Sequence, residues 1–219
     1  MICSSLCISQ VMTTEAEVLM THRVIINTEN YADIKGSPYV FEDLVAADIL
    51  DRNGNMIKNI TLNYNAFDHR MEITKNGTLT ILDEKYYPKV IIKKHNLKKN
   101  VDGPLVFVLH KQNSTTQTMY VQQIAYSPML ILLKKYRVAK KESKVNTPGE
   151  TIVQKKFNMY KEYILFKDGE YLQVKAKVND FIKILGYEKE LKAYAKKNKI
   201  KLKTDQEAKE FIDYAISLL

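Results

Sequence analysis

The chain has 219 residues, 45% of them hydrophobic and 27% charged, with only seven glycines and five prolines, which excludes collagenous, low-complexity and wholly disordered architectures. Its formal charge of +9 raises nucleic acid as a partner, yet only four of its 34 basic residues, Arg23, Arg52, Arg70 and Arg137, are arginines. Bidentate contacts to bases and phosphates favour the planar fork of arginine, and lysines spread over many segments read as solvated faces and strand-edge guards, so nucleic-acid binding ranks last among the functions weighed.

The first ten residues, MICSSLCISQ, are small and apolar, carry no charge and run into the polar TTEAE. That is how the end of a signal-peptide apolar core and its cleavage zone look. Residues 1–10 are therefore expected to be a residual signal peptide, cut near Ser9 or Gln10. The basic segment that normally precedes such a core is missing, and the competing reading is a frayed cytosolic tail. Cys3 and Cys7 are the two cysteines and both fall in this stretch, so a processed chain would have no disulfide, thiolate zinc site or thiol nucleophile. Residues 11–35 read as an N-terminal extension. No later run approaches the roughly 18 apolar residues that a membrane-spanning helix needs.

Residues 36–176 carry the alternation of a β-rich domain. Asn-Gly pairs in RNG (Arg52 to Gly54) and KNG (Lys75 to Gly77) predict two hairpins. For the first, a three-residue loop pairs Leu44 with Leu62, Ala46 with Ile60, Asp48 with Lys58 and Leu50 with Met56. For the second, a three-residue loop pairs Met71 with Ile81 and Ile73 with Leu79. Both predict a type I turn closed by a left-handed glycine, Gly54 or Gly77. A third turn, Lys167 to Gly169, allows either register. Further short β-rich runs bring the count to about ten strands, which predicts an antiparallel sandwich or a strongly curved sheet. Polar, turn-rich Lys140 to Thr151 is the best linker or long-loop candidate.

From Lys177 the apolar period changes to 3.6. Val178, Phe181, Ile182 and Leu185 define one helix stopped by Gly186, and Leu191, Tyr194 and Ala195 define a second ending near Asn198. Thr204 and Glu207 form a capping box opening a third, with Ala208, Phe211, Ile212 and Ala215 in one stripe. The fold class expected is α+β: a mainly antiparallel β body, then two or three short C-terminal α-helices over 177–219.

The densest polar cluster is Tyr64, Asp68, His69, Arg70 and Glu72. A histidine beside an aspartate can be an oriented base and an arginine can clamp an anion, so Tyr64, His69 and Arg70 are the candidate binding residues. Asn65, Asp68 and His69 are equally the residue types of a tight strand connection, and that reading is preferred. The four histidines lack ligand spacing, no phosphate loop or nucleophile elbow occurs, and neither metal nor cofactor is expected. Tyr86, Tyr87, Tyr120, Tyr126, Tyr160, Tyr163 and Tyr171 are candidates for a carbohydrate or peptide surface, although half-buried strand positions explain them too. The lysines of ELKAYAKKNKIKLK could meet an anionic membrane surface; a solvated helix face is the plainer account.

KGSPYVFED (Lys35 to Asp43), the following hairpin, LNYNAFDHRMEI and the C-terminal KKNKIKLKTDQEAKEFIDYAISLL resemble a group of uncharacterised exported proteins of Bacteroidota. That resemblance implies export to the periplasm, the outer membrane or beyond, and no activity. The function expected is a non-enzymatic envelope protein binding a protein, a glycan or a membrane surface. The alternatives are an exported enzyme using His69 with Asp68 or Glu72, and then a cytosolic nucleic-acid binder.

Overall fold

A computed structural model of the chain describes residues 31–75, 78–93, 103–111, 118–147 and 150–219. The leader reading, both cysteines and the Gly77 turn lie outside these residues. Among the described residues eleven strands and three C-terminal helices follow in order, as α+β patterning predicts. The strands are β1 (Ile34–Lys35), β2 (Val45–Leu50), β3 (Met56–Asn65), β4 (Arg70–Lys75), β5 (Thr78–Ile81), β6 (Lys89–Ile92), β7 (Leu105–Lys111), β8 (Thr118–Tyr126), β9 (Leu130–Thr147), β10 (Glu150–Lys167) and β11 (Glu170–Val174). The helices are α1 (Val178–Leu185), α2 (Glu188–Lys197) and α3 (Asp205–Ile216).

All strands belong to one sheet in the order β1-β10-β9-β8-β7-β6-β2-β3-β4-β5, with β11 also pairing β10. Among the described residues only the short β1–β10 pair is parallel. The sheet curls back on itself: the Val138 amide of β9 reaches the Ala66 carbonyl after β3, and the Tyr64 hydroxyl donates to the Tyr120 carbonyl at 2.9 Å. Between sandwich and curved sheet, the curved sheet is the one observed.

The first hairpin closes as its sequence predicts. Gly54 has φ +86°, its amide reaches the Asp51 carbonyl, and Leu50 pairs with Met56. Further along, the expected register fails: Val45 faces Leu62 and Ala47 faces Ile60. A bulge causes the slip. Asn59 turns into the left-handed region (φ 60°) and its amide is taken by the Asp48 carboxylate at 3.0 Å. Val45, Ala47 and Ile49 become the buried set and Leu44 is 48% exposed. The second hairpin also differs, with Glu72 facing Ile81 and Lys75 facing Thr78, which is a two-residue connection. Met71, Glu72 and Ile73 are all buried, so both faces of β4 are covered and alternation could not choose a register. At the third turn Asp168 and Gly169 both have positive φ and Lys167 faces Glu170, a two-residue type I′ loop.

The predicted linker is no linker. β9 and β10 are each 18 residues long and pair from Leu130↔Lys167 to Thr147↔Glu150, so Lys140 to Thr147, with Glu150 and Thr151, lies in the far end of a long ribbon. β1, placed by sequence within the extension, adds to the ribbon's edge.

Two apolar cores lie along one face of β8, β9 and β10. Tyr120, Tyr136, Val138 and Phe157 join β2, β3, β6 and β7 inside the curl, while Ile124, Leu130, Leu132, Tyr163 and Leu165 sit under the helices. The helices bury Phe181, Leu185, Leu191, Phe211 and Ile212 there, at about 1.5–3 kcal/mol of transfer free energy per side chain. Gly186 ends α1 with φ 78°, and its backbone N–H donates a hydrogen bond to the Ile182 carbonyl. Thr204 caps α3 by accepting the Glu207 amide at 3.1 Å. The box is only half reciprocal, because Glu207 turns back to the amides of Lys201 and Lys203.

Candidate functional site

The connection from β3 to β4 is four residues, Ala66 to His69. Asn65 builds it: its Oδ1 accepts the amides of Phe67 and Asp68, each at 3.1 Å, and His69 completes the reversal at φ 58°. Asp68, Arg70 and Glu72 are thereby gathered. The Arg70 guanidinium lies 3.1 Å from Asp68 Oδ2 and 2.8 Å from Glu72 Oε1. Glu72, whose side chain is 1% exposed, also accepts from Tyr39 Oη at 2.8 Å and Asn65 Nδ2 at 2.9 Å. Tyr31 Oη donates to Asp68 at 2.5 Å. Burial, then these carboxylate bonds, push the Tyr31 and Tyr39 hydroxyls up, so both remain protonated donors. Burial pulls the Arg70 guanidinium down, but Glu72 and Asp68 more than offset it.

His69 stands apart from this network. Its Nδ1 is buried without a hydrogen-bond partner, and burial, followed by the nearby Lys135 charge, pushes the imidazole below the usual histidine range. Tyr64 lies in the interior at 0% exposure, its ring edge-on to Phe107 at 5.7 Å. The sequence candidates thus separate into a core residue, a member of a closed ion network, and a neutral imidazole. Among the suggested tyrosines, Tyr87, Tyr120 and Tyr163 are buried, whereas Tyr126 is 63% exposed and Tyr86 49%. They form no continuous stacking surface.

A second constellation was not read from the sequence. Along β9 the inward positions are Leu130, Leu132, Lys134, Tyr136 and Val138, so a lysine falls where the two cores meet. Its Nζ is 2.7 Å from both carboxylate oxygens of Asp205, the first residue of α3. Gln122 Nε2 donates to Asp205 at 3.1 Å, Tyr163 Oη donates at 3.4 Å, and Tyr136 Oη donates to Gln122 Oε1 at 2.6 Å. Burial lowers the Lys134 ammonium, Asp205 opposes that shift, and Lys161 adds to it. The available signals were a lysine at an inward slot of an apolar strand and an aspartate in the first turn after a Thr cap, where the helix dipole favours it. Above this polar chain a cleft of about 710 Å³ opens between the sheet and α3. Gln123, Tyr126, Lys161, Lys203 and Gln206 are on its walls.

Among the described residues no group of three or more His, Cys, Asp or Glu could hold a metal ion, and no helix is long and apolar enough to cross a membrane. No protein family, curated protein or solved structure matches the chain.

Proposed function

We propose that this is a non-enzymatic binding protein of the cell envelope, exported and then processed near Ser9 or Gln10, which takes its partner in the cleft between the curled sheet and α3. The observation that carries the reading is the contrast between two polar groups. The Asp68–Arg70–Glu72 set is internally satisfied, while the cleft presents amide, hydroxyl, aromatic and ammonium groups together on one concave wall. A concave lining on which a few polar groups converge is the usual form of a binding site. A glycan or an extended peptide segment of an envelope protein has that chemistry: Tyr126 offers a flat ring and Gln123 and Gln206 offer paired donors and acceptors.

The alternative, an exported enzyme using His69 with Asp68 or Glu72, requires a carboxylate oriented on the imidazole. Both carboxylates are engaged elsewhere, by Arg70, Tyr31, Tyr39 and Asn65. The test is a photo-crosslinking residue at Tyr126, on the cleft wall, with the exposed Tyr187 as control. In native cells an adduct to an envelope glycan or protein at position 126 alone is expected. Equal labelling at both positions, or none at 126, contradicts the cleft assignment.

A further inference from the structure

β10 keeps an open edge beside the cleft. On the side away from β9 it pairs with β1 at Lys155 and Lys156, and with β11 from Tyr163 to Lys167. Gly36, which follows β1, lies against Phe157, where an added Cβ would meet the carbonyl oxygen at 3.2 Å. Among the described residues no strand pairs on this side with the stretch between, Asn158 to Glu162.

The ladder fixes which backbone groups this stretch turns outward. In an antiparallel pair a residue points its N–H and C=O either both at the partner strand or both away from it. The Val138 amide of β9 goes to the Ala66 carbonyl, on the side away from β10, and Val138 faces Met159. Met159 therefore turns its N–H and C=O away from β9, and by alternation so does Lys161. Tyr163, two residues on, meets Val174 of β11 in that direction.

The side chains at this edge differ by face. On one face Arg137 occupies its neighbours, with its guanidinium 4.6 Å from the Tyr160 ring centroid and its Nε 3.5 Å from Glu162. On the other, Met159 is 36% exposed, and Lys161 is exposed and lines the cleft. Among the described residues no carboxylate stands within ion-pair distance of Lys161, whereas the cleft lysines Lys134 and Lys209 are paired with Asp205 and Asp213.

An unpaired edge is a template for another strand. An extended peptide carries amide donors and acceptors at the strand repeat, which a glycan lacks. A carboxylate on it can meet Lys161 while an apolar side chain two residues away covers Met159. A second copy of this chain fits less well, because Lys156 and Lys161 would stand on both sides of the seam and like charges across strands repel.

We propose that β10 binds an acidic, extended peptide segment by strand addition between β1 and β11, with Met159 and Lys161 making the backbone contacts and the Lys161 ammonium the ion pair. This pairing rests on the cleft proposed above as the partner's seat, and it selects a peptide over a glycan. From Phe157 to Tyr163 is about 20 Å along the strand, room for a segment of about five residues.

Fluorescence polarisation of the full chain with a labelled Thr-Val-Thr-Glu-Thr peptide tests this, with Thr-Val-Thr-Lys-Thr and a fully N-methylated Glu peptide as controls. The Glu peptide is expected to bind roughly tenfold more tightly than either control. Lys161→Glu should reverse the preference between the Glu and Lys peptides. Met159→Pro should weaken binding roughly tenfold; its N–H points away from β9, so no bond of the existing ladder is lost, and urea midpoints verify the fold. The N-methylated peptide keeps the test decisive if that variant is destabilised. Equal binding of all the peptides, a preference that Lys161→Glu leaves unchanged, or no binding of the Glu peptide overturns the proposal. A glycan adduct at Tyr126 without peptide binding overturns strand addition and leaves the cleft reading standing. Peptide binding with no adduct at Tyr126 upholds strand addition and removes the cleft reading.

Discussion

Replacing Asp205 by alanine removes the carboxylate that holds α3 to the sheet and leaves the Lys134 ammonium alone between two apolar cores. The Lys134 side chain is 7% exposed and that of Asp205 is 36% exposed. Breaking a fully buried pair costs about 3–5 kcal/mol, and the open side of Asp205 brings the expectation to about 2–3 kcal/mol. Lys134→Met removes the desolvated charge together with its bond and should cost about 1 kcal/mol or less. The double variant should be less destabilised than the sum of the two, since the orphaned charge is absent. Urea unfolding followed by circular dichroism measures all three. The alkaline limb adds a sign. Lys134 has a folded value below its ordinary 10.5, so the unfolded chain binds more protons and stability rises with pH through that window. The Asp205→Ala deficit should therefore shrink as pH approaches the ordinary lysine range. Equal losses for Asp205→Ala and Lys134→Met, or strict additivity, would refute the view that the two cores are joined through a buried charge.

The other expectations rest on single positions. Glu72→Ala strips three hydrogen bonds and leaves Arg70 with Asp68 alone, so a loss of about 3–5 kcal/mol is expected in urea melts, with Glu72→Gln milder because it still accepts from Arg70 or Asn65. His69 and His110 are both held below the usual histidine range, first by burial and then by Lys135, so their contribution is complete above 6.5 and is lost as pH falls. His69→Asn keeps a residue suited to φ 58° and should flatten part of that acid limb, which unfolding midpoints across the mildly acidic range would reveal. Gly36→Ala should destabilise more than Gly54→Ala: both glycines have positive φ, but an added Cβ at Gly36 meets the Phe157 carbonyl oxygen at 3.2 Å and at Gly54 meets nothing. Thermal melts of the two variants give the order.

Local chemistry was legible where one element answered to one face. The helices from Val178 onward, the Gly186 stop, the Thr204 cap and the Gly54 turn all follow from the residue pattern, because a stripe or turn is decided within a few residues. Register failed where other forces entered. Asn59 shifts the first hairpin through a bulge fixed by Asp48, a contact between residues eleven apart. β4 is covered on both faces, so polarity alternation had nothing to sort, and buried Glu72 looked like a solvent-facing residue. Lys140 to Thr151 resembled a linker because its residues are mostly polar and Lys140 to Val145 are exposed, so no buried alternation announces a strand. The Asp68–Arg70–Glu72 association was foreseeable from spacing, but its closure by Tyr31 and Tyr39 was not, since these arrive from a segment more than thirty residues away. Lys134 with Asp205 joins positions 71 apart in the chain, beyond any local pattern.

The proposed role requires a processed protein located in the envelope. The mass and cell fraction of the native chain recovered from its own cells test this most directly: a chain in the envelope or the medium that begins near Val11 is expected, and a chain retaining Met1 in the soluble cytoplasmic fraction would contradict the proposal.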